Sequence, residues 1–262
     1  MVNSWPIELN GGGNVFALAN LQPKSVPVFF LTAEEIANDL SASGFAVELV
    51  EPMGRPLPTL LPERASAAVE DGLRSLGVNF HFAGVTAVDL AGDGVLVTLS
   101  DGKTVSADVV LSAIGLRPRV ALAQAAGLET ARGIVTDRLL RTSDEHIYAL
   151  GDCAEVSGKV LMYVLPLMAA ARALAKTLAG EATPVSYPAM PVQIKTPICP
   201  IVVSPVAPNT EGAWEVEADG ANVKASLRAA NGDLLGFALT GSYATDMKVK
   251  SEMAKALPAI LA

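Results

Sequence analysis

Between Asp108 and Ile114 the chain reads Asp-Val-Val-Leu-Ser-Ala-Ile, apolar almost throughout, and then breaks at Gly115-Leu116-Arg117-Pro118. A strand with one wet face alternates apolar and polar residues, so a run like this predicts a parallel strand buried on both faces. Strands of that kind need helical layers to cover them. With the helices that precede it, the run predicts an α/β fold.

Residues 32–44 read as a helix. Thr32 can cap it, Glu35 stands three residues on in capping-box position, Ile36, Ala37 and Leu40 form one apolar stripe, and Gly44 stops it. Residues 46–51 alternate like a strand, and residues 62–76 read as a second helix, opened by Pro62 and closed by Gly77. Residues 85–90 and 95–99 form a hairpin around Gly92-Asp93-Gly94, and Asp101-Gly102 makes a further turn. A short helix at 120–126, strands at 133–137 and 146–152, and a helix at 165–180 with Pro166 in its first turn follow.

Seven prolines then fall between Pro184 and Pro208, which reads as a linker into a C-terminal domain. That domain has candidate strands at 192–195, 214–217, 223–229 and 234–239, a turn at Asn231-Gly232, and a terminal helix at 245–256. It reads as small and α+β.

The balance of 19 Lys and Arg against 27 Asp and Glu, a net charge of −8, excludes a phosphate-backbone binder, since no basic cluster is present. The mean hydropathy is +0.40, yet the longest apolar run, residues 160–171, is broken by Pro166 and is shorter than the roughly 20 residues a membrane span needs. Residues 1–20 show no secretory pattern. Two cysteines, Cys153 and Cys199, make neither a disulfide framework nor a redox pair, so a reduced, cytoplasmic protein is expected. His81 and His146 are too isolated to suggest a metal site.

Asp152 is the leading site candidate. Ligands of α/β sheets bind beyond the carboxyl ends of the strands, and an apolar strand would deliver this carboxylate there, with Gly151 allowing close backbone approach. On position alone it reads equally as a turn or capping Asp.

The surrounding residues add to this. Thr142-Ser143-Asp144-Glu145-His146-Ile147-Tyr148-Ala149-Leu150-Gly151-Asp152-Cys153-Ala154 resembles the second FAD-binding motif of the two-dinucleotide flavoprotein reductases. Ser112-Ala113-Ile114-Gly115-Leu116-Arg117-Pro118 resembles the segment by which their NAD domain returns the chain to the FAD domain. Within that family, residues 163–169 and Val192-Gln193-Ile194-Lys195-Thr196-Pro197-Ile198-Cys199-Pro200 are most similar to the rubredoxin–NAD(+) reductases.

The resemblance implies a function and a set of roles. The function is an FAD-dependent oxidoreductase that takes electrons from NADH and passes them to rubredoxin or a similar small carrier. Asp152 would hold a ribityl hydroxyl, Val164 would meet the flavin through its backbone, and Lys195 would lie near the isoalloxazine. Glu35, a capping-box residue on sequence grounds, would lie where flavin and nicotinamide meet. Glu51 would take an adenosine ribose hydroxyl, although a solvated strand end is the plain alternative. No catalytic side chain is implied, because the flavin carries the redox chemistry.

The pattern also breaks. A dinucleotide site needs G-x-G-x-x-G between the first strand and helix, and here stands Val26-Pro27-Val28-Phe29-Phe30-Leu31-Thr32-Ala33; the Gly11-Gly12-Gly13 triplet does not replace it. The domain expectation is a non-family leader at 1–31, a damaged NAD-type domain at 32–115, the C-terminal part of an FAD-binding domain at 116–183, and the acceptor-type domain at 184–262. Two dinucleotide domains and a C-terminal domain would need about 350–400 residues, so the 262 present suggest part of a longer enzyme. The competing expectation is a non-catalytic scaffold that keeps the fold and not the cofactors.

Overall fold

The computed structural model describes residues 32–92, 94–207 and 209–262, with the backbone alone of strand β1, Phe16–Ala19. The Gly11-Gly12-Gly13 triplet, residues 26–31 and Asp93 lie outside the described residues.

The first unit is a three-layer arrangement. Helix α1 (Ala33–Ala42) begins at Thr32, whose hydroxyl and backbone close the expected capping box with Glu35. Strand β2 (Val47–Val50), helix α2 (Glu63–Ser75) and strand β3 (Asn79–His81) follow. A meander of β4 (Val85–Ala91), β5 (Gly94–Leu99) and β6 (Thr104–Ala107) leads to β7 (Val109–Ser112). The sheet order is β3-β2-β1-β7. Val47 and Leu49 face the helices, while Val50 packs with Val97, Leu99 and Val105 of the meander, as the two-residue period of a strand requires.

Two expectations change here. β7 is half-buried rather than covered on both faces, and beyond it Ile114 is 49% and Leu116 59% exposed. Among the described residues it is an edge strand, with β1 as its neighbour in the sheet. That neighbour runs antiparallel both to β7 and to β2, so β2–β3 is the parallel pair of this sheet.

The second unit joins α3 (Ala121–Ala125), the parallel pair β8 (Ile134–Thr136) and β9 (Ala154–Val156), and α4 (Val164–Leu178). Residues 146–152 do not form the expected strand. Tyr148 makes an isolated bridge to Arg141 and Ala149 N–H donates to Leu140, after which the chain turns at Gly151–Cys153 and begins β9.

The proline-rich stretch is no linker. Val185, Tyr187 and Met190 are buried with α4, Arg138 donates to the Val185 carbonyl, and Tyr187 pairs through its backbone with Leu261. Strand β10 (Val192–Ile194) and the unexpected β11 (Ile201–Ser204) lie within it or at its end. β12 (Ala213–Asp219), β13 (Asn222–Arg228) and β14 (Leu234–Thr240) complete an antiparallel sheet of order β10-β11-β14-β13-β12. One face, with Ile201, Val203, Val223, Ala225 and Ala238, shares a core with α1 and α2. The other, with Val202, Phe237 and Leu239, is covered by α5 (Ser242–Thr245) and α6 (Met247–Ala256). The C-terminal sheet is thus built onto the helices of the first unit.

Candidate functional site

The candidate residues gather at two helix N-termini. At α4, Leu150 is extended and Gly151 turns the chain at φ +80°, so that a single 3-10 turn, Gly151–Cys153, carries Asp152 into solvent. Glycine suits this position because side chains rarely adopt that φ, and a Cβ there would press on the flexible end of Leu167, 3.0 Å from its Cδ1. The turn therefore packs directly on the start of α4. Tyr163, the N-cap, makes no side-chain bond to the helix, and Val164 is 68% exposed. The first N–H groups of α4 carry partial positive charge and receive no cap from that side chain.

The N-terminus of α1 is built the opposite way. Thr32 Oγ1 accepts from Glu35 N–H at 3.3 Å, and Glu35 Oε2 accepts from Thr32 N–H at 3.0 Å. Glu35 Oε1 accepts from the backbone N–H of Lys195 at 2.6 Å, across 160 residues of sequence. Asn38 Oδ1 accepts from Ile198 N–H at 3.1 Å, so two side chains of α1 hold the segment after β10. The structure brings Glu35 and Lys195 together; Lys195 itself is exposed.

Glu51 follows β2 directly and is 1% exposed. Its Oε1 accepts from Met53 N–H at 2.7 Å, while Oε2 has no hydrogen-bond partner among the described residues. Burial pushes its carboxyl up, partly offset by the Met53 N–H and the Arg55 guanidinium. The solvated strand end considered from sequence does not occur.

Glu34 opens the family-like segment Glu34-Glu35-Ile36-Ala37-Asn38-Asp39-Leu40 but carries no role expected from the sequence. The signal that could have found it is helical: it stands three residues before Ala37, on the buried stripe. It is 1% exposed, and its Oε1 accepts from Leu57 N–H at 3.2 Å. Burial raises its carboxyl to about 7, against hydrogen bonds from its own backbone, Thr32 and Leu57, with the charge of Glu51 adding to the rise. The donors at the start of α1 are thus engaged by Thr32, Glu34 and Glu35, and two buried carboxylates stand there. A pyrophosphate does not fit this end.

Other candidates stay structural. His81 pairs with Glu48 at 2.6 Å on neighbouring strands, both cysteines are free, and no group among the described residues could hold a metal ion.

Two family models match the chain: pyridine nucleotide-disulphide oxidoreductase over residues 31–175 and rubredoxin binding C-terminal domain over residues 184–257. The rubredoxin-NAD(+) reductase of Alcanivorax borkumensis is 58% identical over 271 residues, covering 98% of this chain and 70% of the relative. That match reaches into residues 1–31. The enzyme of the same name from Acinetobacter baylyi is 45% identical, covering 93% of this chain and 63% of its own length. Among solved structures, the ferredoxin reductase for the CYP199A2 system of Rhodopseudomonas palustris has a TM-score of 0.72 at 29% identity, covering 80% of this chain and 55% of that one. A covalent putidaredoxin reductase–putidaredoxin complex has a TM-score of 0.74 at 25% identity, covering 86% and 56%. The chain spans about two thirds of these curated relatives and just over half of these solved chains. No helix among the described residues is long and apolar enough to cross a membrane.

Proposed function

The chain belongs to the rubredoxin-NAD(+) reductases of the pyridine nucleotide-disulphide oxidoreductase family, and from that premise we propose that it works as, or within, an FAD-dependent oxidoreductase delivering electrons to rubredoxin or a similar small carrier. The observation that carries the reading is the open N-terminus of α4 beside the Gly151–Asp152 turn.

The residues there fit the ribityl and ring end of a flavin. Bound FAD supplies the conversion between two-electron and one-electron transfer. Asp152 would accept hydrogen bonds from ribityl hydroxyls, and Val164 would meet the ring through its backbone. With flavin bound, the positive end of α4 would favour negative charge on the reduced ring, and the Lys195 ammonium would add to it. Glu35 acts as a positioning residue, holding the backbone of Lys195 at 2.6 Å so that its side chain is presented from a fixed point. The matched rubredoxin-binding domain is the docking unit for the carrier.

NADH is the electron source named by the family. The start of α1 does not fit its pyrophosphate, so no step is drawn through that end in this chain. The two free cysteines suit a reducing, cytoplasmic setting. The scaffold alternative is not favoured, since relatives named as reductases match both parts of the chain.

The test is a titration of the purified chain with FAD, followed by visible absorbance and thermal unfolding. Flavin binding should raise the melting temperature, and oxidised rubredoxin should reoxidise flavin that a chemical reductant has bleached. A chain that neither binds FAD nor gains stability from it would defeat the reading.

A further inference from the structure

We propose that Glu34 and Glu51 form a proton-controlled latch that holds the loop at residues 52–61 against α1 in acid and loosens as the pH rises. The inference stands apart from the flavin and acceptor readings, because it concerns carboxylates at the other helix terminus.

The geometry is that of a clasp. The loop leaves β2 at Glu51, whose Oε1 takes the Met53 N–H, and it is tied to α1 by the Leu57 N–H donated to Glu34. Leu57 itself is left-handed, φ +48°, with its side chain buried. A non-glycine residue is held in that region only when its surroundings compel it, and the Glu34 bond is part of that compulsion. The rest of the loop is braced within itself and against α2: Arg55 donates to the carbonyls of Leu61 and Pro58 and to Ser66 Oγ, and the Ser66 hydroxyl donates to the Pro56 carbonyl. Release of the clasp therefore frees the Leu57 backbone from α1 while Arg55, Pro56 and Ser66 keep the loop on α2. It also uncovers Glu51 Oε2, the buried acceptor left without a donor among the described residues.

The pair stores the switch because two buried carboxylates cannot both ionise cheaply. Among the described residues, the charged groups facing Glu34 are few. β2 brings Glu51, the loop brings Arg55, α1 itself brings Glu35, and the segment after β10 brings Lys195, which is exposed. The inward residues of α2, Ala65, Ser66, Ala68, Val69 and Leu73, carry no charge, and the sequence of β1 contains no titratable residue. Burial and the Glu51 charge raise the Glu34 carboxyl to about 7 from an ordinary 4.5. A carboxyl raised in the closed state binds more protons there than when the loop is open. Closure is therefore favoured at low pH, weakens between about 4.5 and about 7, and levels off above that.

Amide hydrogen exchange on the full chain reads this directly. From pH 5 to 8, protection of the Leu57 amide, corrected for intrinsic rates, should fall by tenfold or more, approaching about a hundredfold. In Glu34→Gln, which keeps the acceptor and removes the charge, it should stay flat; in Glu51→Gln the fall should be smaller. A flat wild-type profile, or an equal fall in Glu34→Gln, overturns the latch. Should that variant fail to fold, a carbon-13 titration of the wild-type carboxyls decides: Glu34 titrating near neutrality supports it, and titration in the ordinary carboxylate range overturns it.

Discussion

The N-termini of α1 and α4 start from the same physics, a set of unpaired N–H groups carrying partial positive charge, and reach opposite ends. At α1 the chain engages them itself, with Thr32 half-buried and Glu34 and Glu35 buried. At α4 the cap residue Tyr163 gives no side-chain bond, the next residue is exposed, and a glycine turn sets a carboxylate beside the terminus in water. A self-satisfied terminus stabilises the fold and has little left to offer a ligand; an open one does the reverse. Substitutions should therefore move stability at α1 and ligand response at α4.

Glu35→Ala tests the α1 side with the largest expected effect. It removes half of the capping box and leaves the Lys195 N–H without its acceptor. Loss of the cap is worth about 1 kcal/mol and loss of the charged hydrogen bond about 1.5–3 kcal/mol, so unfolding stability should drop by about 3 kcal/mol. Chemical denaturation measures it. A loss below about 1 kcal/mol would mean that α1 is not closed by its own side chains in the way described.

Glu34→Gln turns the same terminus into a pH experiment. The folded carboxyl sits at about 7 and the unfolded one at the ordinary 4.5, so the folded state holds the extra proton between those values and wild-type stability falls as pH rises through that window. The glutamine variant lacks this dependence. Its advantage over wild type should widen by about 2–3 kcal/mol from pH 5 to pH 8. Parallel stability curves for the two proteins would remove the buried charge from the account.

These two glutamates also show what was legible in the sequence. The Thr32–Glu35 box spans three residues, and a local pattern is visible in any sequence that carries it. The Glu35–Lys195 bond spans 160, and no periodicity reports it; only the resemblance placed both residues at one site. Glu34 was hidden because a glutamate beside a capping box reads as first-turn charge, when its helical phase puts it on the buried stripe. β11 was hidden by the prolines around it, which suggest a linker although Cys199, Ile201 and Val203 between them are core. The burial of β7 was over-read for a different reason. Composition reports how apolar a strand is, while coverage depends on neighbours, and among the described residues β7 pairs with β1 alone.

At α4 the expected effects on stability are smaller. Gly151→Ala must place a side chain at φ +80° and 3.0 Å from Leu167 Cδ1. Leu167 is a flexible neighbour and can give, so the backbone term dominates, at about 1–2 kcal/mol. Thermal unfolding at a fixed pH reads it. An unchanged midpoint would show that the turn relaxes, and with it the fixed placement of Asp152.

Asp152→Ala should be the quietest of the four in the free protein and the most informative with ligand. The side chain is exposed, so its removal should change stability by no more than about 0.5 kcal/mol. If the open terminus is the flavin end, the same change should abolish most of the rise in melting temperature that added FAD gives the wild-type chain, because that rise depends on affinity for the folded state alone. The pairing of outcomes matters more than either one. A residue that stabilised the turn would lower both midpoints together, with and without FAD. A residue that holds ligand lowers only the second. Glu35→Ala should show the converse, a large fall in the free protein, and the contrast between the two variants is what an open and a closed helix terminus require.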